Sequence, residues 1–144
     1  MEDLIKQRQE EIIEEFSMLD GDMEMTLDYI MELGEELNDF PENERIEDNI
    51  VKGCQSKVWM TAGLDNDRIQ FKADSNTAIT KGLVSLLVRA LSQSPPQKVL
   101  DAEIYFPKQI GMDRFIGTQR SNGFAAMIKQ MKMYALALTA KQES

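Results

Sequence analysis

The run from Lys57 to Ala73 constrains the fold more than any other stretch. Lys57-Val58-Trp59-Met60-Thr61-Ala62 is rich in β-prone residues, Gly63-Leu64-Asp65-Asn66-Asp67 has turn chemistry, and Arg68-Ile69-Gln70-Phe71-Lys72-Ala73 alternates polar and apolar residues strictly. This pattern predicts a β-hairpin with Ile69, Phe71 and Ala73 facing the core and Arg68, Gln70 and Lys72 facing water. Trp59, the only tryptophan, is expected to anchor the core side of the hairpin, because large aromatic side chains dominate cores.

The flanking segments have helical periodicity. Ile5, Ile12, Phe16 and Leu19 predict an amphipathic helix from Leu4 to Leu19 that ends near Asp20-Gly21. Leu27, Ile30, Met31, Gly34 and Leu37 predict a second helix from Met23 to Leu37, which Pro41 closes. The acidic outer faces, with Glu10, Glu14, Glu32 and Glu36, read as solvated surface. Pro41 to Asn49 lacks periodicity and reads as a loop.

After the hairpin, Asp74-Ser75-Asn76 offers three helix-capping residues before a strongly apolar helix from Thr77 to Ser92, the expected central helix. Ser94-Pro95-Pro96 stops it and starts a short new element, and Val99 to Phe106 fits either a third strand or a helical turn. Arg120-Ser121-Asn122-Gly123 precedes a long amphipathic helix marked by Phe124, Met127, Ile128, Met131, Ala135 and Leu138. The ten methionines fall mostly at helical spacing and read as core filling. The order of elements predicts an α+β domain, with helices packed on a small antiparallel β-sheet, and a chain of 144 residues fits one domain over 1–144.

Composition removes several function classes. A net charge of −9 argues against binding a nucleic-acid backbone. No apolar run is long enough to cross a bilayer, and Met1-Glu2-Asp3-Leu4-Ile5-Lys6 lacks the order of a signal peptide, so a cytoplasmic location is expected. One cysteine makes no internal disulfide, and the lack of histidine removes Ser-His-Asp and Cys-His catalysis together with the commonest transition-metal ligand. Chemistry therefore rests on Cys54, carboxylates, amines or hydroxyls.

Cys54 lies in Lys52-Gly53-Cys54-Gln55-Ser56-Lys57. Lys52 and Lys57 supply cations that favour a thiolate, Gly53 permits a sharp turn, and Gln55 and Ser56 offer hydrogen bonds to sulfur. A lone cysteine also reads as a small buried hydrophobe, although these polar flanks are poor company for a core residue.

Asn49-Ile50, Gly53-Cys54-Gln55-Ser56 and Val58-Trp59 together resemble the signature of the SufE-like sulfur acceptors, which work with cysteine desulfurases in iron–sulfur cluster assembly. Three further blocks are similar to that family in the right order: Tyr29-Ile30-Met31-Glu32-Leu33-Gly34, Asp74-Ser75 with Ala78-Ile79 and Lys81-Gly82-Leu83, and Arg120-Ser121-Asn122-Gly123 with Met127-Ile128. The chain departs from the pattern at Ile116-Gly117-Thr118-Gln119, where the family commonly has a Ser/Thr-Pro pair, and at Asn76, where a second acidic residue is frequent.

The resemblance implies a fold like that of the iron–sulfur scaffold protein IscU. It also implies a sulfur-transfer accessory protein, rather than a stand-alone enzyme, that takes a persulfide onto Cys54 from a pyridoxal-phosphate cysteine desulfurase and passes it to a cluster scaffold complex. It implies no cofactor or metal of the chain's own, and makes Asp74 and Arg120 partner or loop contacts beside Cys54, although the same residues read equally as a helix-entry ion pair or cap. A labile persulfide needs shelter and access, so Cys54 is expected to be partly sheltered in the free chain and released by loop movement on docking. Two other functions fit the residues: a thiol redox sensor or peroxidase using Cys54, and a non-catalytic interaction module whose acidic helices bind a basic partner.

Overall fold

The computed structural model describes residues 3–143. Met1 and Glu2, on which the reading of the amino terminus partly rests, and Ser144 lie outside the described residues. Helix α1 (Leu4–Ser17) is capped by Asp3, whose carboxylate accepts from the N–H groups of Ile5 and Lys6. Asp20 and Gly21, both at positive φ, turn the chain into α2 (Met23–Glu35), which Asp22 caps through Met25 N–H. The buried face of α1 is Ile5, Gln9, Ile12 and Phe16, a single stripe at helical spacing.

Strands β1 (Val58–Asp65) and β2 (Arg68–Ser75) pair antiparallel, with Val58 opposite Ser75 and Asp65 opposite Arg68. Only Asn66 and Asp67 turn between them, at φ 52° and 64°, which matches the right-handed twist of a two-residue hairpin. Ile69, Phe71 and Ala73 are buried, as the alternation requires. On β1 the core face belongs to Val58 and Met60, both fully buried. Trp59 therefore points to the other face and is only half-buried, which overturns its expected role as the core anchor: a period of two cannot bury Val58, Trp59 and Met60 on the same side.

That outer face is covered by residues 41–50, which form two 3-10 turns, Glu42–Glu44 and Glu47–Asn49. Arg45 pairs with Asp74 at 2.6 Å and Glu44 with Lys72 at 3.3 Å. The segment thus does more than deliver the chain to the cysteine. Both sheet edges are also occupied, since Ile50 bridges to Trp59 and Ser94 to Ile69, so the short ribbon offers little free edge for further pairing.

Helix α3 (Ala78–Leu91) is the central helix, burying Leu83, Val84, Leu86, Leu87, Ala90 and Leu91 against the other elements. It crosses α2 at glycines. A Cβ built on Gly82 would lie 1.9 Å from the Ile30 carbonyl oxygen, and one on Gly34 would lie 2.8 Å from Gly82 N. Gly82 therefore tolerates its poor helix propensity because backbone meets backbone there.

Cations close the helix ends. The Arg8 guanidinium donates to the carbonyls of Ala90 and Ser92 at 3.2 and 2.8 Å, at the carboxyl end of α3. Pro95 caps and Pro96 opens α4 (Pro96–Asp101), whose terminal carbonyls at Leu100 and Ala102 accept from Lys132. Ser94 sits one residue too early to cap α4. It instead lends its carbonyl to Ile69 N–H and its hydroxyl to Arg8.

The third strand left open for Val99 to Phe106 does not form. That stretch ends α4 and leads to α5 (Phe106–Ile110), where buried Gln9 accepts from the N–H groups of Tyr105 and Phe106. The last helix, α6 (Met112–Glu143), begins earlier than the sequence indicates and is broken at Gly117, with φ 82° and ψ 170°. Arg120 to Gly123 consequently lie within the helix and not ahead of it. Among the described residues, no helix is long and apolar enough to cross a membrane.

The α2–α3 crossing yields a direct test. Gly82→Ala is expected to cost about 3 kcal/mol or more in urea unfolding, because the added methyl meets backbone that cannot rotate away. Gly63→Ala, where a Cβ has nothing within 4 Å, is expected to stay within about 1 kcal/mol of the parent chain.

Candidate functional site

Cys54 lies in a loop, residues 52–57, whose two ends are joined where Val51 N–H donates to Val58 O at 2.8 Å. The loop is then fastened to the junction between β2 and α3. Asn76 grips Lys57 twice: its N–H donates to the Lys57 carbonyl at 3.2 Å, and its side-chain oxygen accepts from Lys57 N–H at 3.0 Å. Ser75 Oγ adds a hydrogen bond to the same carbonyl at 2.8 Å. Ser56 Oγ accepts from Thr77 Oγ1 at 2.9 Å and from Thr80 Oγ1 at 3.3 Å.

These bonds explain why the expected caps of α3 do not cap it. Thr77 is the N-cap residue and makes no side-chain cap bond, while Asp74, Ser75 and Asn76 are committed elsewhere. Short polar side chains suit either task, and the sequence alone favours the local partner. Asn76, Thr77 and Thr80 are thus the functional neighbours that sequence reasoning missed.

On its other side the loop rests on α6. The Cys54 thiol donates to the Gly123 carbonyl at 3.4 Å, and a Cβ on Gly123 would fall 3.5 Å from Sγ. Gly53, at φ +98°, sits so close to α6 that a Cβ there would be 3.1 Å from that of Ala126. Glycine is required at Gly53 on both counts.

Beside the sulfur is a cleft of about 100 Å³, lined by Cys54, Gln55, Ser56, Thr80, Leu83, Gln119, Arg120, Gly123 and Met127. Cys54 is half-buried, so neither full exposure at a loop tip nor a place in the core describes it. Burial pushes the thiol pKa up. The bond to the Gly123 carbonyl works in the same direction, since only the protonated sulfur can make it.

The structure brings Cys54, Gln55, Ser56 and Arg120 to one cleft and leaves the other expected site residues outside it. Arg120 is exposed at the rim, where its guanidinium donates to Ile116 O at 3.4 Å. Lys52 and Lys57 are exposed and line no part of the cleft beside the sulfur. Asp74 is also outside the cleft, paired to Arg45 at 2.6 Å and Lys81 at 3.3 Å. Burial opposes its charge, but the Arg45 and Ser75 hydrogen bonds and Lys81 outweigh it and hold the carboxyl below its ordinary range. Its support of the loop is indirect, through the segment 41–50.

Fold and site together define a class: an α+β protein that holds one thiol, protonated and half-sheltered, in a closed loop between a hairpin and a long helix. Residues 10–135 match the SufE family, described as an Fe-S metabolism associated domain, and the chain belongs to that family. An uncharacterised SufE-like protein of Rhizobium etli is 36% identical over 129 residues, covering 85% of this chain and 86% of its own. A second, from Rhizobium meliloti, is 33% identical and covers 88% of this chain and 93% of its own. The fold resembles the solution structure of a hypothetical protein from Thermus thermophilus, with a TM-score of 0.75 at 19% identity, over 92% of this chain and 96% of that one.

Two measurements follow from the loop geometry. Asn76→Ala removes one of the Lys57 clamps, and iodoacetamide should alkylate Cys54 several-fold faster at fixed pH; an unchanged rate would show that the clamp does not hold the loop closed. The raised thiol also links stability to pH. The folded chain holds the Cys54 proton more tightly than the unfolded chain, so this contribution is intact below the unfolded thiol pKa of about 8.5 and is lost as pH rises through the folded value. Stability should therefore fall in alkaline solution more steeply for the parent chain than for Cys54→Ser.

Proposed function

We propose that the chain is a sulfur acceptor that takes persulfide sulfur from a cysteine desulfurase onto Cys54 and passes it to the iron–sulfur cluster assembly machinery. The observation that carries this reading is the half-sheltered Cys54 thiol with a small cleft at its side, in a chain of the SufE family. The transfer is a thiol exchange. Cys54, as thiolate, attacks the terminal sulfur of the desulfurase persulfide; the new S–S bond forms on Cys54, the old one breaks, and the desulfurase cysteine leaves as a thiolate that takes up a proton. Electrons balance without an external oxidant, and clearing its persulfide stimulates the desulfurase.

The protonated resting thiol gives docking a chemical task. The S–H···O bond to Gly123 must break and the proton must leave, and the cleft is lined by no histidine or carboxylate to receive it, so the partner complex supplies the acceptor. Arg120, which lines the cleft, offers a cation as charge develops on the sulfur, and Gln55 and Ser56 lie in the same cleft as hydrogen-bonding groups. The chemistry uses no metal or cofactor of the chain's own. A lone thiol of this kind is kept reduced in the cytoplasm, where the reading places the protein.

The same geometry weighs against a thiol peroxidase, because peroxide reacts with accessible thiolates and Cys54 is neither ionised by its neighbours nor fully exposed.

With an active cysteine desulfurase and free cysteine, the intact mass of the chain should rise by one sulfur atom and return on reduction. Cys54→Ser should abolish loading while its stability at neutral pH stays within about 1 kcal/mol of the parent. An unchanged mass beside an active desulfurase would contradict the proposal.

A further inference from the structure

Charge is unevenly divided along the chain. Residues 1–48 hold eighteen of the twenty-five carboxylates and three of the sixteen cations, a net charge of −15, whereas residues 49–144 hold seven and thirteen, a net charge of +6. Most of the first group lies on α1, α2 and the 3-10 turns. The second group contains the cysteine loop.

Many cations of the second group have work inside the fold. Lys72, Lys81 and Arg89 pair with carboxylates, and Arg68 and Lys132 donate to carbonyls. Lys52 and Lys57 do neither; both are exposed and flank Cys54 in sequence, and the cleft beside the sulfur adds exposed Arg120 and no carboxylate. Among the described residues neither lysine side chain has a hydrogen-bond or ion-pair partner, and neither lines the cleft, so both stay free to meet a partner that approaches the loop.

We propose that Lys52 and Lys57, with Arg120, form a cationic rim that steers and seats Cys54 against a carboxylate-rimmed mouth on a protein partner. The acidic region of α1, α2 and the 3-10 turns orients the encounter by repelling that same acidic surface, so approach by the cysteine loop is selected over approach by the helices. The overall charge of −9 disfavours the other common polyanion, nucleic acid. The inference deepens the sulfur-acceptor reading and rests on it, with the desulfurase as the partner.

The test measures the rate of sulfur loading onto Cys54 from a cysteine desulfurase at subsaturating acceptor, in low and high salt. Lys52→Glu/Lys57→Glu should load about tenfold more slowly than the parent at low ionic strength, with the difference shrinking to less than about twofold at high salt as the charges are screened. Lys52→Arg/Lys57→Arg should keep the parent rate, because only charge is needed. Lys98→Glu on α4, outside the cleft, separates local from overall charge and should have no such effect. Iodoacetamide alkylation of the free double variant is followed in parallel.

Loading that is unchanged in Lys52→Glu/Lys57→Glu, or slowed equally at all salt concentrations, overturns the rim. So does a matching loss in alkylation rate, which would place the lysines on the thiol and not on the partner. Failure of the parent chain to load at all would instead strike the sulfur-acceptor reading.

Discussion

The open end of the β-hairpin is the constraint on which the site depends. There Val58 faces Ser75, so the strand that leaves the cysteine loop and the strand that leads into the central helix are fixed to each other. Val51 N–H to Val58 O closes the loop from one side, and Ser75 and Asn76 hold Lys57 from the other. None of these bonds touches the sulfur. They set its position by leaving residues 52–57 little freedom, and α6 completes the enclosure at Gly123 and Ala126.

The enclosure has two chemical effects. It keeps the sulfur half-buried against α6, which favours the neutral thiol and would slow loss of a bound sulfur to water or small oxidants. It also opposes the nucleophilic form that transfer requires. Under the proposed function, the sulfur would become reactive only once a docked partner moved the loop off α6, a division of labour that suits a chain without histidine. The glycines at 53 and 123 let the loop lie against the helix, and contacts among small groups are cheaper to separate than interlocked large side chains.

Local pattern was readable where one physical signal dominated. The strict alternation at Arg68 to Ala73 gave the buried face of β2, and the apolar width of the stretch after Asn76 gave the central helix. Trp59 lies off the core because the period of two outweighs side-chain size, and Val58 and Met60 take the core. Ser75 and Asn76 read as caps because a single chain shows the nearest backbone amides and not the loop packed against them. Lys52 and Lys57 lie near Cys54 in sequence, yet both are exposed and neither lines the cleft at the sulfur. Family resemblance identified the cysteine block, the glycine of the α2–α3 crossing and the Arg120 block as belonging together; tertiary structure supplied the reason, since Gly34 meets Gly82 and Gly123 meets Cys54.

Under the proposed function, the Cys54 thiol stays protonated and enclosed until a partner docks. The most direct measurement is the ultraviolet thiolate absorbance of Cys54 against pH, as a difference from Cys54→Ser, for the free chain and for its complex with a catalytically inactive cysteine desulfurase whose own reactive cysteine is replaced. The free chain should ionise above an ordinary cysteine, at more than about pH 8.5, and the midpoint should fall in the complex. A thiolate already present at neutral pH in the free chain, or a midpoint that docking leaves unchanged, would contradict it.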